Sequence, residues 1–541
     1  MKLPRIQSAY LPLAASSFLV LIYNISFWKS FMAATGGFRA ANLPVYLGAA
    51  LLLVLVFSGV LALVNYRRIF KPVVIALLLL SSMTAYFMSQ YGIVIDASMV
   101  QNVVETDVRE AGELFSWRLV QSFLLLGVVP SWVVWRLPVR YGSLRREVLV
   151  NAGLLAASLL LATGLLFLLF KTLAPAVREH RELRFMLTPT NVFQATNGYL
   201  KQKWATPTVV APLGTDAAKG RLWAAVGDGP RSVTVIVVGE TARAMNFSLN
   251  GYGRDTNPRL AQERTLVNFN NVSSCGTATA VSVPCVFSDL TREGYSEDKA
   301  RSKEGLLDVL QHAGLEVIWR DNNSGCKGVC DRVRFEDMSQ PVAGNPLCNT
   351  EECYDERLLE GLPDLIRNAS KDLVIVLHQK GSHGPAYWKR YPAEFNKFGP
   401  VCQTNELEQC SRESITAAYD NTILYTDYFL YKTINVLKNA GVPASMLYFS
   451  DHGESLGEKN MYLHGAPYIF APEEQRKVPM MLWMSDSFSQ RFHVDRSCLA
   501  ARSSQAFSHD NVFHSTLGML NVNTAVYNPK LDLFHACIDD D

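Results

Sequence analysis

Apolar positions are not spread evenly along this chain. Five long uncharged stretches, roughly 11–28, 43–64, 72–95, 119–135 and 149–170, fill the first third, and charged residues are confined to the segments between them. Each is near the roughly 20 residues that a helix needs to cross a bilayer, so the pattern predicts five spanning helices. Buried core helices are the competing reading, and uncharged runs of this length between short charged loops disfavour it. The first run is longer than the apolar region of a signal peptide and reads as a retained anchor. From about residue 232 the texture changes. Short β-branched runs at 233–238, 315–319, 373–377, 446–449 and 478–483 alternate with helix-like stretches such as 303–312 and 414–439. That alternation predicts an α/β domain whose mostly parallel sheet is sandwiched by helices.

The expected organisation is therefore a five-helix membrane domain over 1–175 and an exported catalytic α/β domain over 231–541. Between them, 176–230 interleaves Arg178, Arg181, Arg184, Lys201 and Lys203 with Phe185, Phe193, Tyr199 and Trp204. This suits an amphipathic segment lying at the membrane interface, with a plain linker as the alternative. No internal repeat is visible.

Charge sharpens the division. The chain has 541 residues, 49% hydrophobic and 18% charged, with a formal net charge of +2 and a mean hydropathy of +0.09. This excludes a disordered chain and lacks the basic footprint of a nucleic-acid binder. Residues 1–175 carry 14 Lys+Arg against 6 Asp+Glu, and the remaining 366 carry 37 against 43, so near-neutrality averages a cationic part and a mildly acidic one. Within the first part, basic residues cluster at Lys2 and Arg5, at Arg67, Arg68 and Lys71, and at Arg136, Arg140, Arg145 and Arg146. The alternate loops are acidic or sparsely charged. The positive-inside rule then sets the amino terminus in the cytoplasm and, after five spans, the remainder outside.

All ten cysteines (Cys275, Cys285, Cys326, Cys330, Cys348, Cys353, Cys402, Cys410, Cys498 and Cys537) follow the last apolar run. An even number confined to the exported part implies disulfides in an oxidising compartment. Close spacing pairs them naturally in chain order, leaving Cys498 with Cys537, although spacing alone does not determine connectivity. A structural zinc cluster over Cys326–Cys353 is the competing reading, disfavoured because no C-x-x-C pair is present.

Ligands of open α/β sheets bind beyond the carboxyl ends of strands, so the residues after each run carry the chemistry. Glu240 follows the first run; His378 and then His383 follow the third; Asp451, His452 and Glu454 follow the fourth, with His464 soon after. Carboxylate oxygens and imidazole nitrogens so placed are the donors of a catalytic zinc that keeps one position open. The segment 274–285 is small, hydroxyl-rich and bracketed by Cys275 and Cys285. A helix start there would offer backbone N–H groups to an anion, and Thr279 becomes a nucleophile only beside a metal or base. Taken singly, these are a helix cap, polar surface and a Ser/Thr-rich turn.

Together they resemble a known family. Val238-Gly239-Glu240-Thr241-Ala242-Arg243, Ser274-Cys275-Gly276-Thr277-Ala278-Thr279-Ala280, Arg320-Asp321-Asn322-Asn323, Asn405-Glu406-Leu407 and Ser450-Asp451-His452-Gly453-Glu454-Ser455-Leu456-Gly457-Glu458 are similar to the motifs of the bacterial phosphoethanolamine–lipid A transferases, within the alkaline phosphatase/sulfatase superfamily. The resemblance covers nearly the whole chain. It implies that Thr279 takes up phosphoethanolamine covalently and that Glu240, Asp451, His452 and Thr279 hold zinc. It assigns His383 and His464 to substrate phosphate, leaving-group protonation or a second zinc, and Asn323 and Lys327 to the bound phosphoethanolamine. Asn102, Thr106 and Glu110, spaced i, i+4, i+8 on one helical face, match residues near the lipid site, and a solvated helix face is the alternative. Ala278 and Val281 stand where some relatives carry serine and tyrosine.

The implied reaction moves phosphoethanolamine from phosphatidylethanolamine to a lipid A phosphate, which lowers surface negative charge and gives resistance to polymyxin and other cationic peptides. The expected setting is the inner membrane of a Gram-negative cell, with the catalytic domain in the periplasm, lipids as the partners and a monomeric chain. The alternatives are the same chemistry on inner-core Kdo or heptose phosphate or on a periplasmic glucan, a hydrolase, and a catalytically dead scaffold. The hydrolase reading lacks a sulfatase C/S-x-P-x-R context at Thr279, and the scaffold reading would require lost ligands.

Overall fold

Long apolar helices dominate the amino-terminal part. The computed structural model describes residues 5–105, 112–180, 182–205, 209–224 and 231–538. It divides into two compact units, Met1–Val100 with Phe115–Gly198, and Gln101–Leu114 with Tyr199–Asp541. Thr106 and Glu110 lie outside the described residues.

In the first unit, four helices are long and apolar enough to cross a membrane: Leu43–Ala62, Phe70–Tyr91, Trp117–Arg136 and Leu144–Phe170. The last of them continues to Glu179. The first expected span differs, because it is broken into Ser8–Ile22 and Ile25–Ala34, bent by 67°. Side chains compete with the helix ladder at the break. Asn24 Nδ2 donates to the Leu19 carbonyl (3.0 Å) and Trp28 Nε1 to that of Val20 (3.0 Å). Asn24 also exchanges hydrogen bonds with the backbone of Thr188, at 2.9 and 2.8 Å, so its amide is satisfied only where the helix stops. Pro130 lacks an N–H, and a π segment at Phe123–Val128 precedes it. The carbonyl of Leu126, which Pro130 leaves without an intrahelical donor, accepts from the Tyr23 hydroxyl instead. Gly92, at φ 67°, ends the Phe70–Tyr91 helix in a left-handed cap.

The second unit is built on an eight-stranded sheet. Its strands are β1 (Val233–Gly239), β2 (Leu266–Ser273), β3 (Glu316–Asp321), β4 (Arg334–Asp337), β5 (Leu373–His378), β6 (Ala444–Ser450), β7 (Lys477–Met484) and β8 (Phe507–Ser508). Their order is β8-β2-β7-β6-β1-β5-β3-β4. All neighbours are parallel except at β7, which runs antiparallel to both β2 and β6. The five β-branched runs are all strands. The pattern did not point to β2, because Leu266–Ser273 mixes asparagines among its apolar positions.

Every residue of β1 is buried, and successive side chains enter opposite cores. Ile236 and Val238 pack on one face with Val317, Trp319 and Phe449, and Val233, Val235 and Val237 pack on the other. The second face is covered by the Arg412–Lys438 helix, which buries Ile415, Tyr419, Ile423, Phe429, Leu430 and Ile434. The five disulfides are Cys275–Cys285, Cys326–Cys330, Cys348–Cys353, Cys402–Cys410 and Cys498–Cys537, which removes the zinc-cluster alternative.

Ile236 is fully buried in β1, one of the two central strands of the sheet. Ile236→Ala is expected to destabilise this unit by about 2–5 kcal/mol, read from denaturant unfolding of the full chain in detergent.

Candidate active site

Four adjacent parallel strands, β3, β5, β1 and β6, end along one edge of the sheet, and the residues just past those ends meet there. Glu240 follows β1, Asp451 and His452 follow β6, Asn323 follows β3, and β5 ends in His378 itself. Gly239 permits this convergence, since a Cβ there would sit 2.6 Å from the Tyr448 ring. Gly381 lies against Glu240 for the same reason. Its φ of +54° and a 2.6 Å approach to the Glu240 carbonyl exclude a side chain.

Glu240, Asp451 and His452 are fully buried, and one ligand atom from each lies within 4.8 Å of the others. His452 Nδ1 donates to the Gly453 carbonyl (2.9 Å), which turns Nε2 toward Glu240 Oε1 at 3.3 Å and Asp451 Oδ2 at 3.5 Å, where a cation would take the place of the Nε2 proton. Asp451 Oδ1 accepts from the backbone N–H groups of Thr241 (3.1 Å) and His452 (2.7 Å), whereas Oδ2 is buried with no hydrogen-bond partner. Burial and the charge of Glu240 push Asp451 up to about 6. Burial acts against the charge on His452, but Asp451 and Glu240 raise it to about 10. An orphaned carboxylate oxygen beside a second carboxylate and an oriented imidazole is a donor set that fits a divalent cation.

Thr279 opens the Thr279–Val286 helix. It is the only residue of the buried run 274–280 that is not itself buried. Its hydroxyl donates to Glu240 Oε2 (2.9 Å) and lies 3.3 Å from His452 Nε2. The loop before it is pinned by Thr277, whose hydroxyl donates to the Ala466 carbonyl (2.6 Å) and whose own carbonyl accepts from Gly465 N–H (2.8 Å).

Two further histidines flank this cluster. The His464 ring centre is 4.4 Å from that of His452 and 5.5 Å from that of His383. His464 Nδ1 is 2.8 Å from Glu454 Oε2, and the Tyr387 hydroxyl donates to the other Glu454 oxygen. The loop of His383 is held by Arg390, whose Nε donates to the His383 carbonyl (2.8 Å) while its terminal nitrogens pair with Glu352 and Glu113. Asn323 Nδ2 donates to Glu240 Oε2 (2.8 Å) and the Gln379 carbonyl (2.9 Å). Lys327 takes a left-handed φ of 54°, and its ammonium bonds the carbonyl and hydroxyl of Ser324, each at 3.0 Å. It lines a groove of about 600 Å³ with Arg301, Lys303 and Arg332. Asn102 lies on the Ala97–Glu105 helix, half-buried.

Sequence reasoning did not assign Glu454, Arg390 or the buried pair Asp321–His378. His378 Nδ1 lies 2.9 Å from Asp321 Oδ2, and Trp319 Nε1 donates to the same oxygen at 2.8 Å. Burial works against the charge on His378, and Asp321 raises it above the usual histidine range. The available signal was position, since Asp321 and His378 both end sheet strands.

The sheet, the strand-end cluster and the threonine at a helix start define a sulfatase-type enzyme. The sulfatase family matches residues 232–522, and the phosphoethanolamine transferase EptA/EptB family matches residues 53–204. Phosphoethanolamine transferase EptA of Escherichia coli strain K12 is 40% identical over 530 residues, 97% of this chain and 96% of that protein. Phosphatidylethanolamine transferase Mcr-1 of E. coli is 41% identical over 483 residues, 86% of this chain and 87% of that one. The integral membrane lipooligosaccharide phosphoethanolamine transferase A of Neisseria meningitidis superposes with a TM-score of 0.94 at 34% identity, covering 99% of this chain and 100% of that one. The chain belongs to the EptA family of phosphoethanolamine transferases.

Asn323→Ala removes a hydrogen bond that orients a candidate ligand, Glu240. It is expected to weaken metal affinity about 10- to 100-fold, measured by competition with a chromogenic chelator. Unchanged affinity would leave Asn323 a substrate contact only.

Proposed function

We propose that this enzyme transfers phosphoethanolamine from phosphatidylethanolamine to a phosphate of lipid A through a covalent intermediate on Thr279. The observation that carries this is the Thr279 hydroxyl, 2.9 Å from Glu240 and 3.3 Å from His452 at a buried set of metal donors. The donor rests on a relative named phosphatidylethanolamine transferase, and the acceptor class on relatives named lipooligosaccharide phosphoethanolamine transferase and Kdo(2)-lipid A phosphoethanolamine 7''-transferase. A zinc ion held by Glu240, Asp451 and His452 supplies, when bound, the Lewis acidity that makes an alcohol a nucleophile at neutral pH.

In the first half-reaction Thr279 Oγ1 releases its proton to solvent and bonds to the donor phosphorus as the bond from phosphorus to diacylglycerol oxygen breaks. His383 or His464 gives that oxygen its proton. In the second, a lipid A phosphate oxygen bonds to the same phosphorus and Thr279 leaves, regaining its proton. Asn323 and Lys327 contact the phosphoethanolamine group, and the resemblance assigns Asn102, Thr106 and Glu110 to the neighbourhood of the lipid. The catalytic domain, 231–541, stands in the periplasm of a Gram-negative cell, with the amino terminus of the 1–175 membrane domain in the cytoplasm. Both substrates are membrane lipids, which accounts for a hydrolase-like fold tethered to spanning helices. Added ethanolamine amines reduce the negative field that attracts cationic peptides such as polymyxin.

Intact mass spectrometry after incubation with phosphatidylethanolamine tests the nucleophile. The wild-type chain is expected to gain one phosphoethanolamine and Thr279→Ala none; a labelled Thr279→Ala would refute the assignment. Lipid A extracted from cells with and without the protein reads the acceptor. Chelation is expected to abolish labelling, and added zinc to restore it.

A further inference from the structure

A buried histidine behind the site belongs to none of the roles above. His509 follows β8, whose parallel pairing with β2 sets Ser508 beside Ser273. The next residue therefore arrives level with the start of the 274–280 loop. His509 is 1% exposed. Its Nδ1 accepts from the backbone N–H of Cys275 at 3.1 Å, and its Nε2 lies 3.0 Å from the Ser450 carbonyl. An amide can only donate and a carbonyl only accept, so these two partners leave one tautomer, neutral and protonated at Nε2. Ser282, in the first turn of the Thr279 helix, has its hydroxyl 3.3 Å from the same Nδ1 and donates to the Asp451 carbonyl at 2.5 Å. The Phe449 ring, 5.4 Å away edge to face, fixes the imidazole plane.

We infer that His509 is a positioning residue. It ties the loop and helix that carry Thr279 to the strand end that carries Asp451 and His452. Two segments far apart in sequence meet on this one ring: the loop and helix start from Cys275 to Ser282, and the chain at Ser450. The clamp sets the distance from Thr279 Oγ1 to the metal donors without touching the reacting atoms. A misplacement of about 1 Å in such a constellation costs about 100-fold in rate.

The two ring nitrogens separate experimentally. The oxygen of an asparagine side chain can replace the Nδ1 acceptor, whereas the amide of glutamine can replace only the Nε2 donor. The inference rests on Thr279 as nucleophile, so two readouts are taken on the full chain in detergent. One is the rate of Thr279 labelling by phosphatidylethanolamine in a single turnover; the other is hydrogen exchange of the 274–281 amides. His509→Gln is expected to slow labelling about 100-fold at an unchanged half-saturating lipid concentration, and to deprotect the Cys275 amide. His509→Asn is expected to stay within about tenfold of wild type with that amide protected. Ser282→Ala, a smaller change that keeps the ring, is expected to slow labelling in the same direction. Equal behaviour of the Asn and Gln variants, or wild-type protection and rate in His509→Gln, overturns the clamp. Absence of labelling in the wild-type chain overturns the Thr279 reading instead, and loop exchange still decides the clamp.

Discussion

Two carboxylates and an imidazole, all fully buried, share one corner of the sheet. Ionised groups removed from water are strongly disfavoured unless paired or bound to a metal. Here Glu240 and Asp451 oppose each other, and one Asp451 oxygen has no hydrogen-bond partner among the described residues. Much of the surrounding structure serves to hold that arrangement. Parallel strands deliver the donors to a common edge, Gly239 and Gly381 let backbone and ring approach them, and Asn323 and Thr241 anchor their oxygens. A cation at this point would resolve the electrostatic conflict and also create the reactive environment. The order of this strand-end cluster and the polarity around Thr279 thus follow from the same charges.

Around this centre the histidines divide by environment. His452 has its Nδ1 committed to a carbonyl and presents Nε2 to the donors. His464 keeps contact with the site opening, its side chain 16% exposed, and is oriented by the buried Glu454. His378 and His509 are sealed on opposite sides of the electrostatic scale. A facing aspartate raises His378, whereas His509, with only backbone and hydroxyl partners, is lowered to about 3 by burial and the nearby His452. The partner each ring finds, rather than the residue type, sets its tautomer and its charge.

Much of this was legible from residue order. The β-branched runs ending in Glu240, His378 and Asp451 announced both the strands and the edge at which they converge, because a sheet buried on both faces needs apolar residues at nearly every position. The loop before Thr279 stood out as small, hydroxyl-rich and bracketed by Cys275 and Cys285, but the approach of its hydroxyl to Glu240 and His452 came only with the fold. Strand β2 was not, since its asparagines interrupt the apolar run, and the Asn268 Nδ2 finds its acceptors, the Asn250 side chain and the Leu249 carbonyl, only in the fold. The break in the first apolar run was equally hidden. Asn24 can end a helix only if Thr188, 164 residues away, offers it a backbone to bond.

The sequence by itself determined what depends on local pattern: apolar runs of membrane-spanning length, an α/β part with strand-end donors, ten cysteines confined to that part, and the charge division between the two parts. Only the tertiary structure decided what depends on long-range partners. These are the pairing of the cysteines, the commitment of Asn323 to Glu240, the seating of Glu454 under His464, and the meeting of Cys275, Ser282 and Ser450 on His509. The reason is physical. Periodicity and hydrophobicity act between near neighbours and are written along the chain, whereas hydrogen-bond and metal-donor geometry exists only after strands distant in sequence lie side by side.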